Sequence, residues 1–221
     1  EHVRILDAGA GAGALFAACV EVMVSGKHCP LSISVVAYEN DQKILPYLKE
    51  TMEWCESTSR RAGISFQGEI RTEDFIAAAI AQSDEGLFAI HGERFTHAIL
   101  NPPYKKISGE SETRRLLNAA GLEVSNLYAA FVWLSAKLLE SGGELVAITP
   151  RSFCNGPYFR RFRMDLLNMM SLHRIHVLES RKKAFGDDNV LQENVIYHMI
   201  RGEQKPERLI VSSSEGADFD K

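Results

Sequence analysis

The sequence predicts an α/β fold with a mainly parallel seven-stranded sheet, helices on both of its faces and a terminal antiparallel hairpin. Two observations lead to this prediction. Short apolar runs alternate with amphipathic stretches from residue 3 to residue 170, which is the pattern of repeated βα units. Two β-rich runs at 173–178 and 195–200 then follow without a helical pattern between them, so the last two strands should pair antiparallel.

Three βα units form the first half of the chain. The predicted strands are short and rich in apolar or β-branched residues, and they cover residues 3–6, 33–38 and 64–70. The helices predicted after them cover residues 13–24, 42–60 and 73–81. Because parallel strands end at one edge of a sheet, we expect the residues that follow these three strands to lie close together.

A fourth strand, at 95–100, leads directly into the segment Asn101-Pro102-Pro103-Tyr104. The next stretch, 105–124, is polar and is expected to be a mobile loop with a helix at 112–119. The elements predicted between this loop and the terminal hairpin are a helix at 127–139, a strand at 144–149 and a helix at 158–170.

The charge of the chain limits what it does alone. The net charge is −4, whereas binding to phosphates needs a clustered positive surface, so a free-standing nucleic-acid binder is not indicated. A local basic face or another domain would supply that charge. The local basic groups are Lys105 and Lys106, then Arg160, Arg161 and Arg163, then Arg181, Lys182 and Lys183. Either they form a phosphate-facing rim or they are solvated surface residues.

Composition also bears on the compartment. No apolar run approaches the roughly 20 residues that span a bilayer, so no membrane association is expected. The four cysteines are scattered, which indicates a reduced, cytoplasmic setting without structural zinc. His173 and His176 alternate along a predicted strand, and no metal site is expected. An apolar strand begins almost at residue 1 and the last residues are polar, so we expect a fragment or a truncated form.

A glycine-rich turn joins the first strand to the first helix and contains Asp7, Ala8, Gly9 and Gly11. Glycines allow a tight turn and the close approach of a ligand, and the helix N-terminus behind them favours an anionic group. The alternative is a tight turn that serves only helix–sheet packing.

Two acidic residues follow the next two strands. Glu39, with Asn40 beside it, ends the second strand, where a carboxylate can accept both hydroxyls of a ribose. Asp74 follows the third strand and can accept a hydrogen bond from an adenine amino group, while Phe75 packs on the ring. Asp41 is an alternative to Glu39 for the ribose, and helix capping is an alternative role for Asp74.

The Asn101-Pro102-Pro103-Tyr104 segment is a stiff loop, because a residue before proline is held extended and proline fixes its own φ. The Asn101 side-chain oxygen and the Pro102 carbonyl are then two acceptors at a fixed separation, which suits an amine with two hydrogens. A conjugated amine is a poor nucleophile, and accepting both hydrogens frees its lone pair for a methyl donor. Tyr104 offers a ring for stacking on a planar base, whereas the alternative is an ordinary surface turn.

Together these motifs resemble those of the class I S-adenosylmethionine-dependent methyltransferases, which have a Rossmann-like sheet. The cofactor motif precedes the catalytic motif, as in the gamma-type N6-adenine DNA methyltransferases of restriction-modification systems, and the stretches 149–153 and 191–196 carry the same resemblance. The resemblance implies that S-adenosyl-L-methionine is bound by Asp7, Ala8, Gly9, Gly11, Glu39, Asn40, Asp74, Phe75 and Asn101. It implies that the catalytic residues are Asn101, Pro102, Pro103, Tyr104 and Phe185.

The resemblance also implies a site-specific transfer of a methyl group to N6 of an adenine flipped out of duplex DNA, with Phe185 against the flipped base. The alternative for Phe185 is a side chain that anchors its loop in the core. A separate or fused endonuclease and a bacterial cytoplasmic location are expected with it. Residues 1–202 would be the catalytic domain, and 203–221 an extension or the start of a missing target-recognition region. The alternatives are an RNA-adenine or protein-glutamine N-methyltransferase, or a non-catalytic cofactor-binding fragment.

Overall fold

The computed structural model describes residues 1–83, 94–179, 193–202 and 205–214. Its strands are β1 (His2–Ala8), β2 (Ser32–Tyr38), β3 (Ser65–Arg71), β4 (Phe95–Leu100), β5 (Leu139–Pro150), β6 (Met170–Leu178), β7 (Asn194–Arg201) and β8 (Ile210–Ser214). Its helices are α1 (Ala14–Ser25), α2 (Leu45–Arg61), α3 (Phe75–Ser83), α4 (Glu112–Ala119), α5 (Leu127–Leu138) and α6 (Arg160–Met169). None of these helices has the length and apolar character needed to cross a membrane.

The strands form one sheet in the order β3-β2-β1-β4-β5-β7-β6-β8. Strands β1 to β5 are parallel, and β7 runs antiparallel to both β5 and β6. The predicted α/β fold with a mainly parallel sheet and a terminal antiparallel pair is therefore confirmed. Because β1 lies between β2 and β4, the turn after β1 is flanked by the ends of both neighbours.

The predicted number of seven strands is wrong, since the sheet has an eighth strand among the described residues. Strand β8 pairs in parallel with the outer edge of β6, and the His176 ring nitrogens bond to Ser212 Oγ at 2.9 Å and to Ser214 Oγ at 3.0 Å. Most of β8 is exposed, so it lacks the apolar alternation by which a half-buried strand is recognised in a sequence.

Helices cover both faces of the sheet, as predicted. Successive side chains of a strand point to opposite faces, and β1 shows this directly. Ile5 joins the cluster that contains Phe16 of α1 and Leu48 of α2. Leu6 joins the larger cluster that contains Phe75 of α3 and most of α5. Helix α5 is buried on nearly all sides, which explains why its sequence is apolar around its whole circumference.

The stretch at 105–124, predicted to be a mobile loop with a helix at 112–119, packs against the rest of the fold. Its ends are held together, since Leu127 N donates to Lys105 O at 2.9 Å and Ile107 N donates to Ser125 O at 2.7 Å. The predicted helix at 112–119 is present as α4. Leu117 of α4 is fully buried in the larger cluster, so this insertion is part of the core.

Gly13, at the start of α1, is the basis of a stability prediction. Its φ is 87°, and an added Cβ would lie 2.5 Å from Cε1 of the buried Phe16 ring. We expect Gly13→Ala to lower the free energy of unfolding by at least about 1–2 kcal/mol, because a side chain in the left-handed region already costs that much. Gly63→Ala is the control, since φ is 74° there and no atom lies within 4 Å of the added Cβ. Urea unfolding should show a larger loss for Gly13→Ala than for Gly63→Ala, and equal losses would contradict the role of the Phe16 contact.

Candidate functional site

A cleft of about 460 Å³ opens at the carboxyl ends of the parallel strands, a size usual for a small-molecule site. It is lined by Gly9, Tyr38, Glu39, Asn40, Glu73, Asp74, Phe75, Ile76, Asn101, Pro103, Lys105, Thr113, Leu127 and Phe131. Residues of the predicted cofactor motifs and of the Asn-Pro-Pro-Tyr segment therefore line the same cavity.

The glycine turn after β1 is fastened to the end of β2. The amides of Gly9 and Ala10 both donate to the Tyr38 carbonyl, at 2.9 and 3.0 Å. Gly9 has a φ of 79°, and an added Cβ would lie 3.6 Å from both Phe131 Cε1 and Pro103 Cδ. The glycine turn and the Pro-Pro loop thus lie close together, and a side chain at Gly9 would project between two walls of the cleft.

Glu39 connects the end of β2 with the same turn. Its Oε2 accepts from Gly11 N at 2.9 Å, and its Oε1 accepts from Asp41 N at 2.8 Å. Glu39 lines the cleft, whereas Asp41 does not and instead accepts from Lys43 N at 2.9 Å. The geometry favours Glu39 over Asp41 as the residue that faces a ligand.

The end of β3 supplies a carboxylate and an aromatic wall. Asp74 Oδ1 accepts from Ala77 N at 2.9 Å, so the capping role considered for Asp74 exists, while the residue also lines the cleft. The Phe75 ring lies 5.0 Å from the rings of both Tyr38 and Phe131. Phe131 also lines the cleft and is not among the predicted residues, because an aromatic residue in an apolar helix carries no signal that distinguishes a cleft wall from the core.

The Asn-Pro-Pro-Tyr loop follows β4. Asn101 and Pro103 line the cleft, and Pro102 is buried. The Tyr104 hydroxyl donates to Asn101 Oδ1 at 3.2 Å, with the Ile148 carbonyl as a second acceptor at 3.4 Å. Burial raises the pKa of Tyr104 to about 12, so the phenol stays protonated and remains a donor at neutral pH.

Asp7 lies beneath the glycine turn and is 1% exposed. Burial raises the pKa of its carboxyl group to about 7, the backbone of Phe16 opposes this, and the charge of Glu39 adds to it. Neither carboxyl oxygen makes a hydrogen bond of normal geometry with another described residue. The described residues therefore offer little that would stabilise the ionised carboxylate of Asp7.

This burial predicts a pH-dependent stability difference between the wild type and Asp7→Asn. A carboxyl whose pKa is raised on folding contributes stability below its unfolded value of 3.8 and loses that contribution as the pH rises through about 7. The amide side chain introduced by Asp7→Asn does not titrate. The melting temperature of this variant minus that of the wild type should therefore increase between pH 4 and pH 8. Asp41→Asn, at an exposed position, serves as the control. A constant difference across this pH range would contradict the prediction.

The predicted site residues are placed as follows. Those that line the cleft are Gly9, Glu39, Asn40, Asp74, Phe75, Asn101 and Pro103. Those that adjoin it are Asp7, Ala8, Gly11, Pro102 and Tyr104. Phe185 lies outside the described residues, so its role stays a prediction. Among the described residues there is no group of three or more His, Cys, Asp or Glu side chains that could hold a metal ion.

The basic groups are only partly available for a phosphate-facing rim. Arg163 donates to the carbonyls of Phe153 and Gly156 at 2.9 and 2.8 Å, which shapes the loop before α6. Arg161 pairs with Glu123 at 2.8 Å. The third group, 181–183, lies outside the described residues.

Comparison with known proteins places the chain among restriction-modification enzymes. The model of the Eco57I restriction-modification methylase family matches residues 33–185. The chain is 47% identical over 219 residues to the type II methyltransferase M.PstI of Providencia stuartii, covering 99% of this chain and 42% of that protein. It is 47% identical over 203 residues to the type II methyltransferase M.BsuBI of Bacillus subtilis, covering 91% and 39%. The chain thus spans about two fifths of these relatives.

A solved structure from Listeria monocytogenes, described as a class I S-adenosylmethionine-dependent methyltransferase, has the same fold. It superposes with a TM-score of 0.66 at 12% identity, over 96% of this chain and 58% of that one. At this identity the likeness concerns the fold alone.

Proposed function

Since the chain belongs to the Eco57I restriction-modification methylase family, we propose that the protein containing it methylates N6 of an adenine flipped out of duplex DNA. S-adenosyl-L-methionine is the cofactor of this methylase proposal, since the family is one of methylases and the cleft joins the glycine turn to the acidic residues after β2 and β3. The observation that carries the proposal is the proximity of the glycine turn to the Asn-Pro-Pro-Tyr loop, since a Cβ added at Gly9 would lie 3.6 Å from Pro103 Cδ. A methyl donor held by the first segment would lie beside an amine held by the second.

The chain's own residues fit the cofactor. We assign the ribose hydroxyls to Glu39, which reaches the cleft while it holds Gly11. We assign the adenine amino group to the Asp74 oxygen that does not cap α3, and the adenine ring to the wall formed by Phe75 and Phe131. When bound, the cofactor supplies an electrophilic methyl group on a sulfonium centre.

Asn101 and Pro102 are proposed to hold the target amine. The amide oxygen of Asn101 has two lone pairs, and the Tyr104 hydroxyl occupies one of them. The second lone pair then accepts one hydrogen of the amine, and the Pro102 carbonyl accepts the other. Both acceptors stabilise the positive charge that develops on nitrogen as the methyl group is transferred. Tyr104 and Phe185 are proposed to stack on the flipped base.

Recognition of a DNA sequence is proposed to depend on parts of the protein beyond this chain. The chain carries a net charge of −4, and two of its candidate basic residues are engaged by their own neighbours. We propose that residues 1–202 form the catalytic domain and that 203–221 are either an extension of it or the start of a target-recognition region. A fused or separate endonuclease and a cytoplasmic location stay predictions.

The full-length protein tests this proposal. It is incubated with labelled S-adenosylmethionine and duplex DNA, the DNA is digested to nucleosides, and the methylated nucleoside is identified by mass spectrometry. N6-methyladenine is the expected product. Parallel incubations offer RNA and protein in place of DNA. A methylated cytosine in the DNA, or unlabelled DNA together with label in RNA or in the glutamine of a protein, would contradict the proposal.

A further inference from the structure

Tyr104 is held in two ways, by its hydroxyl and by its ring. The hydroxyl donates to Asn101 Oδ1 at 3.2 Å and lies 3.4 Å from the carbonyl oxygen of Ile148 in β5. The ring lies edge-on to the ring of Tyr128 in α5, with the centroids 6.3 Å apart and an interplanar angle of 86°. This is the geometry of a favourable edge-to-face aromatic pair. Tyr128 is therefore connected to Asn101 indirectly, through Tyr104.

Tyr128 is itself fixed on its other sides. It is 1% exposed, and its ring lies 5.8 Å from the ring of Phe159, just before α6. Its hydroxyl is 3.2 Å from Ser152 Oγ, in the turn that follows β5. Burial raises the pKa of Tyr128, so the phenol stays protonated at neutral pH and can donate to this serine. The ring that packs against Tyr104 thus has little freedom to tilt.

The main chain beside Tyr128 is bonded to the main chain beside Tyr104. Leu127 N donates at 2.9 Å to the carbonyl of Lys105, the residue after Tyr104. An antiparallel bridge joins the neighbouring residues of the same two segments. The start of α5 therefore cannot shift relative to the end of the Asn-Pro-Pro-Tyr loop without breaking these bonds, and the Tyr128 ring keeps its place against the Tyr104 ring.

We infer that Tyr128 is a positioning residue for methyl transfer, which acts by holding the Tyr104 hydroxyl on Asn101 Oδ1. This inference rests on the proposed function, in which the Asn101 oxygen accepts a hydrogen of the target amine. The amide of asparagine has an acceptor on one side and a donor on the other. A hydroxyl bonded to Oδ1 restrains rotation of this amide, so that its oxygen and not its NH2 group faces the target. Such positioning affects the rate strongly, because a displacement of about 1 Å can cost about 100-fold.

Single variants of the full-length protein test both ends of this series of contacts. Tyr104→Phe keeps the ring and removes the hydroxyl, whereas Tyr128→Met removes the ring and fills much of its volume with an unbranched side chain. Each is expected to slow single-turnover methylation of duplex DNA roughly 5- to 50-fold. Neither residue lines the cleft, so the affinity for S-adenosylhomocysteine, the demethylated cofactor, should stay within about twofold. Tyr128→Phe keeps the ring and should retain the rate within about threefold.

The double variant distinguishes positioning from a general loss of packing. If Tyr128 acts through the Tyr104 hydroxyl, adding Tyr128→Met to Tyr104→Phe should slow methylation by less than about twofold more, whereas independent effects would multiply. Phe162→Leu is the matched control. Phe162 is 2% exposed in the same hydrophobic cluster, and its ring pairs with those of Phe153 and Phe159. Its effect on the rate should therefore be the same factor with and without Tyr104→Phe.

Three results would overturn the inference. The first is multiplication of the effects of Tyr128→Met and Tyr104→Phe. The second is a wild-type rate in Tyr104→Phe, a measurement that does not depend on whether Tyr128→Met folds. The third is equal slowing by Tyr128→Phe and Tyr128→Met, which would assign the effect to the Ser152 bond and not to the ring. A wild-type protein that methylates no adenine would instead contradict the proposed function.

Discussion

Asn101→Ala in the full-length enzyme is expected to lower turnover by about 100-fold or more while the affinity for the cofactor changes by less than about twofold. The Asn101 oxygen interacts most strongly when positive charge develops on the target nitrogen. Its removal therefore raises the activation barrier for methyl transfer and not the dissociation constant of the cofactor. Single-turnover kinetics measures the barrier, and calorimetry with S-adenosylhomocysteine measures the affinity. Asn168→Ala, at an exposed position of α6, serves as the control and should leave both quantities unchanged.

Phe185→Ala separates base capture from the chemical step. If stacking is its main contribution, it should weaken binding of the flipped base by roughly 1–3 kcal/mol. An abasic or mismatched position opposite the target lowers the cost of extrusion and should partly restore methylation by Phe185→Ala but not by Asn101→Ala. Equal rescue of both variants, or undiminished turnover without Asn101, would show that the mechanism is wrong.

Glu39→Ala is expected to weaken cofactor binding by roughly 1.5–3 kcal/mol, about 10- to 100-fold, because a carboxylate that accepts ribose hydroxyls is removed. The same carboxylate also bonds Gly11 N at 2.9 Å, so a loosened glycine turn would weaken every ligand alike. A 2′-deoxy analogue of S-adenosylhomocysteine separates these effects. The wild type should prefer the parent ligand, and Glu39→Ala should bind both ligands with similar affinity.

Asp41→Ala is the matched control for Glu39→Ala. Asp41 lies two residues further along and accepts from Lys43 N in the turn before α2, and it does not line the cleft. Its removal should leave the preference for the parent ligand intact. Loss of that preference in Asp41→Ala but not in Glu39→Ala would transfer the ribose role to Asp41.

The local patterns of the sequence were sufficient for seven of the eight strands that the structure describes and for the order of the motifs. Short apolar runs mark β1 and β2, and short-range steric limits make Asn101-Pro102-Pro103-Tyr104 a stiff loop in any context. Parallel connectivity then placed Glu39 and Asp74 at one edge of the sheet with Asn101, as observed in the cleft. These inferences needed only residues that are near one another in the chain.

Tertiary structure decided what depends on distant neighbours. The position of Phe131 against Phe75, the place of Lys105 in the cleft and the pairing of β8 with β6 all arise from segments far apart in sequence. Burial likewise sets the raised pKa of Asp7, because desolvation is a property of the surrounding fold and not of the residue. Strand β8 has no apolar alternation and helix α5 is apolar around its whole circumference, so neither sequence indicates which elements it packs against. Only the tertiary structure shows these neighbours.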